Sequence, residues 1–158
     1  MMIRIMFVCL GNICRSPMAE AIARVKLQEK GFQDIIHVAS SGTGNWHIGK
    51  RPHEGTLKIL ETHGYDHANL RGSQIKSDHF YEWDYFIAMD SSNEHHLKNL
   101  KPDDSQAIIK RLLSYHPSSS LTDVPDPYFT GNFVEVYELI EQSISNLLAE
   151  VIQQDVSS

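Results

Sequence analysis

The sequence predicts an α/β fold: a three-layer, doubly wound domain with a four-stranded, mostly parallel sheet and helices on both faces. Short apolar runs alternate with longer segments of helical period along the chain, the pattern of repeated β–α units. The first run, Ile3 to Val8, is almost continuously apolar, as expected of a strand covered on both sides. A tight turn containing Gly11 and Asn12 joins that run to the next helix. Ligands in open α/β sheets sit at such strand ends.

Taken in order, Pro17 to Lys30 reads as the first helix. Ser16 is its expected hydroxyl cap, and Pro17 occupies the first helical position, where a missing N–H costs nothing. Met18, Ile22 and Val25 supply an apolar face, and Gly31 ends the helix. Ile35 to Ala39 reads as a second strand. Ser40 to Pro52 is a Gly-, Asn- and Ser-rich loop that carries Trp46, and a helix from about His53 to His63 stops at Gly64. Tyr65 to Ser73 is irregular. Ser77-Asp78 opens a short helix ending near Glu82. Asp84 to Met89 is a third strand, Ser91 to Leu100 a helix, and Ala107 to Lys110 a fourth strand. A loop from Ser114 to Gly131 holds Pro117, Pro125 and Pro127. The last helix keeps its period through Phe133, Val136, Tyr137, Ile140, Ile144, Leu147, Leu148 and Val151.

The 158 residues are enough for one domain with a proper core, expected to span residues 1–158. A net charge of −6 without any basic stripe argues against nucleic acid. It leaves room for an anionic substrate held in a locally positive pocket. No apolar run reaches the ~18 residues of a membrane span, and Arg4 interrupts the short apolar start, so no secretory segment is expected. The two cysteines lie in a single loop. That is no disulfide framework, and a cytoplasmic setting follows as the expectation.

That loop, Cys9-Leu10-Gly11-Asn12-Ile13-Cys14-Arg15-Ser16, lies between a strand end and a helix start. Unpaired backbone N–H groups and the positive end of the helix point into such a place, making it an anion site and favouring a thiolate. Cys9 is the candidate nucleophile. Arg15 offers a planar fork that matches two oxygens of a phosphate. Gly11 and Asn12 tolerate positive φ and let the loop curl its N–H groups inward. Ser16 can donate to the Cys9 sulfur. Together they describe a phosphate-binding loop after strand 1. Cys14 has two readings: a small buried residue that fills space, or the partner in a reversible disulfide protecting Cys9 from overoxidation. A phosphoryl transfer also needs an acid for the leaving group. Asp126, held between Pro125 and Pro127, is the candidate, although an aspartate beside proline also reads as a plain turn residue.

Loop and acid together resemble the low-molecular-weight protein tyrosine phosphatases. The likeness rests on Cys9 to Ala21 and the distant Asp126-Pro127-Tyr128, supported by Ser40-Ser41-Gly42-Thr43 with Trp46 and Gly49, and by Ala88 to Asn93. The resemblance implies hydrolysis of phosphotyrosine through a phosphocysteine on Cys9, with Arg15 as clamp and Asp126 as acid and then base. It implies that Asn12, Ser16 and Ser40 hold the loop, that Trp46 and Tyr128 wall the substrate ring, and that Leu10 and Ile13 line the pocket. Gly11 and Cys14 complete the expected phosphate-binding set. The expected partners are phosphotyrosine-bearing proteins or peptides, with no cofactor and no metal, and a chain that is monomeric or weakly self-associating.

Two segments depart from the family pattern. Where many relatives read Ala-Arg-Gln, often after a histidine, this chain has Leu70-Arg71-Gly72-Ser73-Gln74, so no histidine is assigned to brace Asn12. Where some relatives carry a second, phosphorylated tyrosine on the acid loop, this chain has Phe129. The rival activities are arsenate reduction, phosphoarginine hydrolysis and non-catalytic phosphate binding. Thioredoxin-coupled arsenate reductases of this fold relay a disulfide through cysteines beyond the loop, and none exists here. Phosphoarginine phosphatases place threonine where Ile13 stands. Metal binding is not expected: Gly64 separates His63 from His67, and the adjacent His95 and His96 cannot share one helix face.

Overall fold

The computed structural model describes residues 2–156. Four strands, β1 (Ile3–Cys9), β2 (Ile36–Gly42), β3 (Tyr85–Ala88) and β4 (Ile108–Arg111), form one sheet in the order β2-β1-β3-β4. Every pairing is parallel, with Ile5 opposite Val38 and Tyr85, and Cys9 opposite Gly42. The helices are α1 (Arg15–Lys30), α2 (Glu54–Thr62), α3 (His79–Glu82), α4 (Ser91–Leu100), α5 (Pro127–Thr130) and α6 (Phe133–Val151).

Strand alternation sorts β1 between two cores. Ile3, Ile5 and Phe7 pack with Met18 and Ile22 of α1, Leu60 of α2, and Ile140, Ile144 and Leu147 of α6. Met6 and Val8 face the opposite way, against Phe80 of α3 and Leu97 of α4. Helices therefore cover both faces. Phe7 and Phe86 are fully buried, one in each core, and truncating either to alanine would cost about 3–5 kcal/mol.

Three local expectations change. β2 continues three residues past Ala39, because Ser40, Ser41 and Gly42 pair with Phe7, Val8 and Cys9; ladder bonds to a buried neighbour extend a strand that hydropathy would end. α1 begins at Arg15, with Cys14 at the cap position and no side-chain cap bond. Ser16 is thus inside the first turn and does not cap the helix, its hydroxyl being committed elsewhere. The segment from Ser114 to Gly131 is not all loop. A 3₁₀ turn, Leu112–Tyr115, enters it, and α5 forms where the Asp126 carboxylate accepts the Tyr128 N–H behind a proline at the first helical position. Gly31 ends α1 as expected, at φ 78°, where L side chains rarely go.

The strand order reverses between β1 and β3, and ligands of doubly wound sheets bind at that reversal. The Cys9 loop leaves β1 there and Asp90 leaves β3 beside it. Val124 joins the same edge, donating its N–H to the Met89 carbonyl at 2.8 Å. That bond brings the far end of the chain over the loop.

Candidate active site

Asn12 is the one described non-glycine residue with positive φ, at 57°. Asparagine tolerates that conformation better than most residues. The turn aims the Asn12 N–H back at the Cys9 sulfur, 3.3 Å away. Gly11, which tolerates positive φ at least as well, does not adopt it. Its smallness serves packing, since a Cβ there would meet the His47 ring at 3.2 Å.

Beneath the loop lies a buried chain of hydrogen bonds whose direction follows from its end. The Ser40 hydroxyl donates to the Glu20 carboxylate at 2.6 Å, so its lone pairs face Asn12. Asn12 Nδ2 donates to Ser40 Oγ at 3.0 Å and to Ser16 Oγ at 2.7 Å. Ser16 is thereby left with its own proton free for the Cys9 sulfur, 3.0 Å away. The remaining Asn12 atom, Oδ1, accepts the Ser73 backbone N–H at 2.9 Å. That amide takes the bracing role for which the sequence offered no histidine. Glu20 is in turn paired with Arg24 at 2.7 Å.

Arg15 is almost wholly buried. Its Nη1 donates to Asp90 Oδ2 at 2.7 Å and to the Val124 carbonyl at 2.9 Å, and its Nη2 lies 3.5 Å from Asp126 Oδ2. Burial opposes its charge, but the Cys9 thiolate, the Asp90 bond and the Asp126 charge outweigh it and hold the guanidinium above its ordinary pKa. Cys14 shows the reverse. Burial first, then the charges of Cys9 and Asp126, push its thiol up to about 12 against a smaller opposing pull from Arg15.

These groups open on a cleft of about 170 Å³ lined by Cys9, Leu10, Gly11, Ile13, Cys14, Arg15, Trp46, His47, Asp126, Tyr128 and Phe129. Of the expected phosphate-binding residues, Asn12 and Ser16 are not in this lining. Their side chains lie buried under the loop and support it. Ser40 supports it from β2. Trp46, 61 % exposed, stands on Gly44, where a Cβ would fall 1.9 Å from its ring.

Sequence reasoning assigned no role to Asp90, Glu20, Ser73, His47 or Phe129. Asp90 had a signal, standing just past a strand end and before the helix-starting Ser91-Ser92-Asn93. Glu20, His47 and Phe129 stand close to Ser16, Trp46 and Tyr128 in the chain without a signal of their own, and Ser73 is a neighbour only in space. Asp123, close to the acid in sequence, is not in the site: it holds Ser91 at the start of α4, and Arg111.

A sulfur, a guanidinium and a carboxylate facing one concave, aromatic-walled space are the parts of a cysteine-dependent phosphate-ester site on a doubly wound fold. The chain belongs to the low molecular weight phosphotyrosine protein phosphatase family, whose sequence model matches residues 4–158. It is 47% identical over 150 residues to the low molecular weight protein-tyrosine-phosphatase YfkJ of Bacillus subtilis (strain 168), covering 95% of this chain and 96% of that one. Against PtpA of Staphylococcus epidermidis the identity is 44% over 152 residues, 96% of each. The crystal structure of YfkJ superposes with a TM-score of 0.94 over 98% of both chains at 46% identity. That of DARP, a Drosophila arginine phosphatase, does so with a TM-score of 0.84 at 35% identity, covering 96% of this chain and 99% of that one.

Proposed function

We propose that this chain hydrolyses phosphotyrosine and other aryl phosphate monoesters through a phosphocysteine intermediate, as a single domain. The observation that carries the reading is the convergence of Cys9, Arg15 and Asp126 on one cleft walled by Trp46 and Tyr128. An aryl phosphate is an apolar ring bearing a dianion and needs aromatic sides with a positive base.

In the first step the Cys9 sulfur attacks phosphorus, a P–S bond forms, and the bond from phosphorus to the aryl oxygen breaks. Asp126 gives its proton to the departing oxide. The Arg15 fork and the loop N–H groups hold the equatorial oxygens as charge redistributes. An incoming phosphate draws Arg15 Nη2 away from Asp126 and frees the carboxyl for the leaving group. In the second step Asp126 takes a proton from water, the oxygen attacks phosphorus, and the P–S bond breaks to release phosphate and the thiolate. The Ser16 hydroxyl and the Asn12 N–H, both within reach of the sulfur, stabilise its departure. Positive charge in this scheme comes from Arg15 and backbone amides, so it calls for no metal.

Ile13 in the lining supports phosphotyrosine over phosphoarginine. The substrates are then phosphotyrosine-bearing proteins or peptides. Among the described residues no helix is long and apolar enough to cross a membrane, which is compatible with a cytoplasmic place, and a monomer or weak self-association suffices because one chain carries the whole site. Cys14, a free thiol in the same lining as Cys9, is the redox partner in this reading. A peroxide transfers one oxygen to the Cys9 sulfur and is itself reduced, giving a neutral sulfenic acid; the Cys14 sulfur then attacks the Cys9 sulfur and displaces the hydroxyl, which leaves as water with the Cys14 proton, to form the disulfide.

One preparation assayed against an aryl phosphate, phosphoarginine and arsenate tests the assignment. Turnover of the first alone is expected. Cys9→Ser should abolish it while retaining phosphate binding, and substantial residual hydrolysis in that variant refutes the covalent route.

A further inference from the structure

His53 takes part in none of the chemistry above, yet it touches both the phosphate loop and the Tyr128 wall. Its backbone N–H donates to the Ile13 carbonyl of the phosphate loop at 2.7 Å. Its Nδ1 accepts the Gly55 N–H at 3.0 Å and so caps α2. Three residues on, the Thr56 hydroxyl donates to the Cys14 carbonyl, also at 3.0 Å. Its ring stacks on Phe133, the first residue of α6, with centroids 5.1 Å apart, and meets Tyr128 edge to face at 6.1 Å and 80°. Gly55 permits the arrangement, because a Cβ there would come within 2.5 Å of the Phe133 ring.

We propose that His53 is a positioning residue that sets the Tyr128 wall relative to the phosphate loop, and with it the width of the slot that receives the substrate's ring. The proposal rests on the aryl phosphatase reading given above. Tyr128 is 59 % exposed and has little packing of its own. Among the described residues its ring meets His53 and Phe129. Phe129 is its neighbour on α5, so it moves with Tyr128 and cannot fix it. His53 belongs to a different element, one bonded directly to the loop that would hold the phosphate. Its ring and its cap are separable: one reads out in the wall, the other in the start of α2.

Two substitutions split them. His53→Asp keeps an oxygen to accept the Gly55 N–H and removes the ring; His53→Phe does the opposite. For His53→Asp the KM for an aryl phosphate is expected to rise about fivefold, the equivalent of ~1 kcal/mol. Its kcat should change less than about twofold, and inhibition by inorganic phosphate should be unchanged, since free phosphate has no ring to touch Tyr128. His53→Phe should keep KM near wild type while lowering Tm. In a Tyr128→Ala background His53→Asp should add nothing to KM. A wild-type KM in His53→Asp, a parallel rise in KM and phosphate inhibition, or full additivity with Tyr128→Ala overturns the proposal. A wild-type protein that hydrolyses no aryl phosphate sinks the phosphatase reading itself and takes this one with it.

Discussion

Asp90 divides its carboxylate between two tasks: Oδ2 meets Arg15 Nη1 at 2.7 Å and Oδ1 accepts the Asn93 N–H at 2.7 Å to cap α4. The guanidinium that faces the cleft is thus aimed from behind by a residue anchored to a helix start. A buried arginine without such a partner would carry an uncompensated charge. Asp90→Asn keeps the cap and loses the ion pair. We expect kcat/KM to fall roughly 10–100-fold, the size of a lost hydrogen bond to a charged group, with Tm below that of the wild type because the buried guanidinium loses its compensating charge. Asp90→Ala should lose similar activity and a further ~1 kcal/mol of stability from the cap. Activity in Asp90→Asn equal to wild type rules out the aiming role.

Asp126 is expected to act through its proton. Asp126→Ala should slow phenyl phosphate by about 10²–10³-fold, because phenoxide is a poor leaving group. A nitrophenyl ester, whose oxide leaves unaided, should suffer much less. The measurement is the slope of log kcat/KM against leaving-group pKa, which reports the first step alone and should steepen in the variant. Parallel lines for variant and wild type contradict the acid assignment.

The two cysteines should behave differently toward alkylation. With its thiol pushed up to about 12, Cys14 carries almost no thiolate at neutral pH. Iodoacetamide at about pH 8 should label Cys9 and spare Cys14, as read by peptide mass mapping. Peroxide inactivation should be reversed by dithiols in the wild type and become permanent in Cys14→Ser. Equal labelling of both thiols, or full recovery in Cys14→Ser, contradicts these roles.

Stability should decline on the alkaline side. Tyr115 is pushed up to about 12 by burial and then by Glu150. Tyr85 and Tyr137 are raised by burial and then by hydrogen bonds to Asp155 and Tyr65. The unfolded chain releases these protons near their ordinary values of 10.0, and that of Cys14 near 9.0, while the folded protein keeps them to higher pH. Between those limits the unfolded state binds fewer protons, so stability is full below about pH 9 and falls as pH rises toward about 12. Urea midpoints taken from pH 7 upward should follow that decline, and Tyr115→Phe should flatten it. An unchanged slope in Tyr115→Phe removes Tyr115 from the account.

Local chemistry was legible wherever neighbours in sequence are neighbours in space. The apolar run of β1, the Gly31 stop and the period of α6 could be read directly, as could the loop from Cys9 to Ser16. What misled was competition for a single group. Ser16 has the composition of a helix cap, but the Cys9 sulfur and Asn12 claim its hydroxyl, and the helix starts two residues earlier, at Arg15. Ser40 and Ser41 look like loop residues, yet pairing with Phe7 and Val8 keeps them in the sheet.

By itself, then, the order of residues determined the α/β layering, the anion loop and the family, because each is written as pattern along the chain: strand period, helix period, the spacing within Cys9 to Ser16 and the separate Asp126-Pro127-Tyr128. Only the tertiary structure decided which atoms complete the site. Asp90 enters it through the pairing of β1 with β3, Glu20 through its bond to Ser40 on β2, Ser73 through its N–H to Asn12, and His53 through its N–H to Ile13, contacts that join separate elements. No local preference encodes such contacts, since they form only once burial of the two cores has brought the strand ends together.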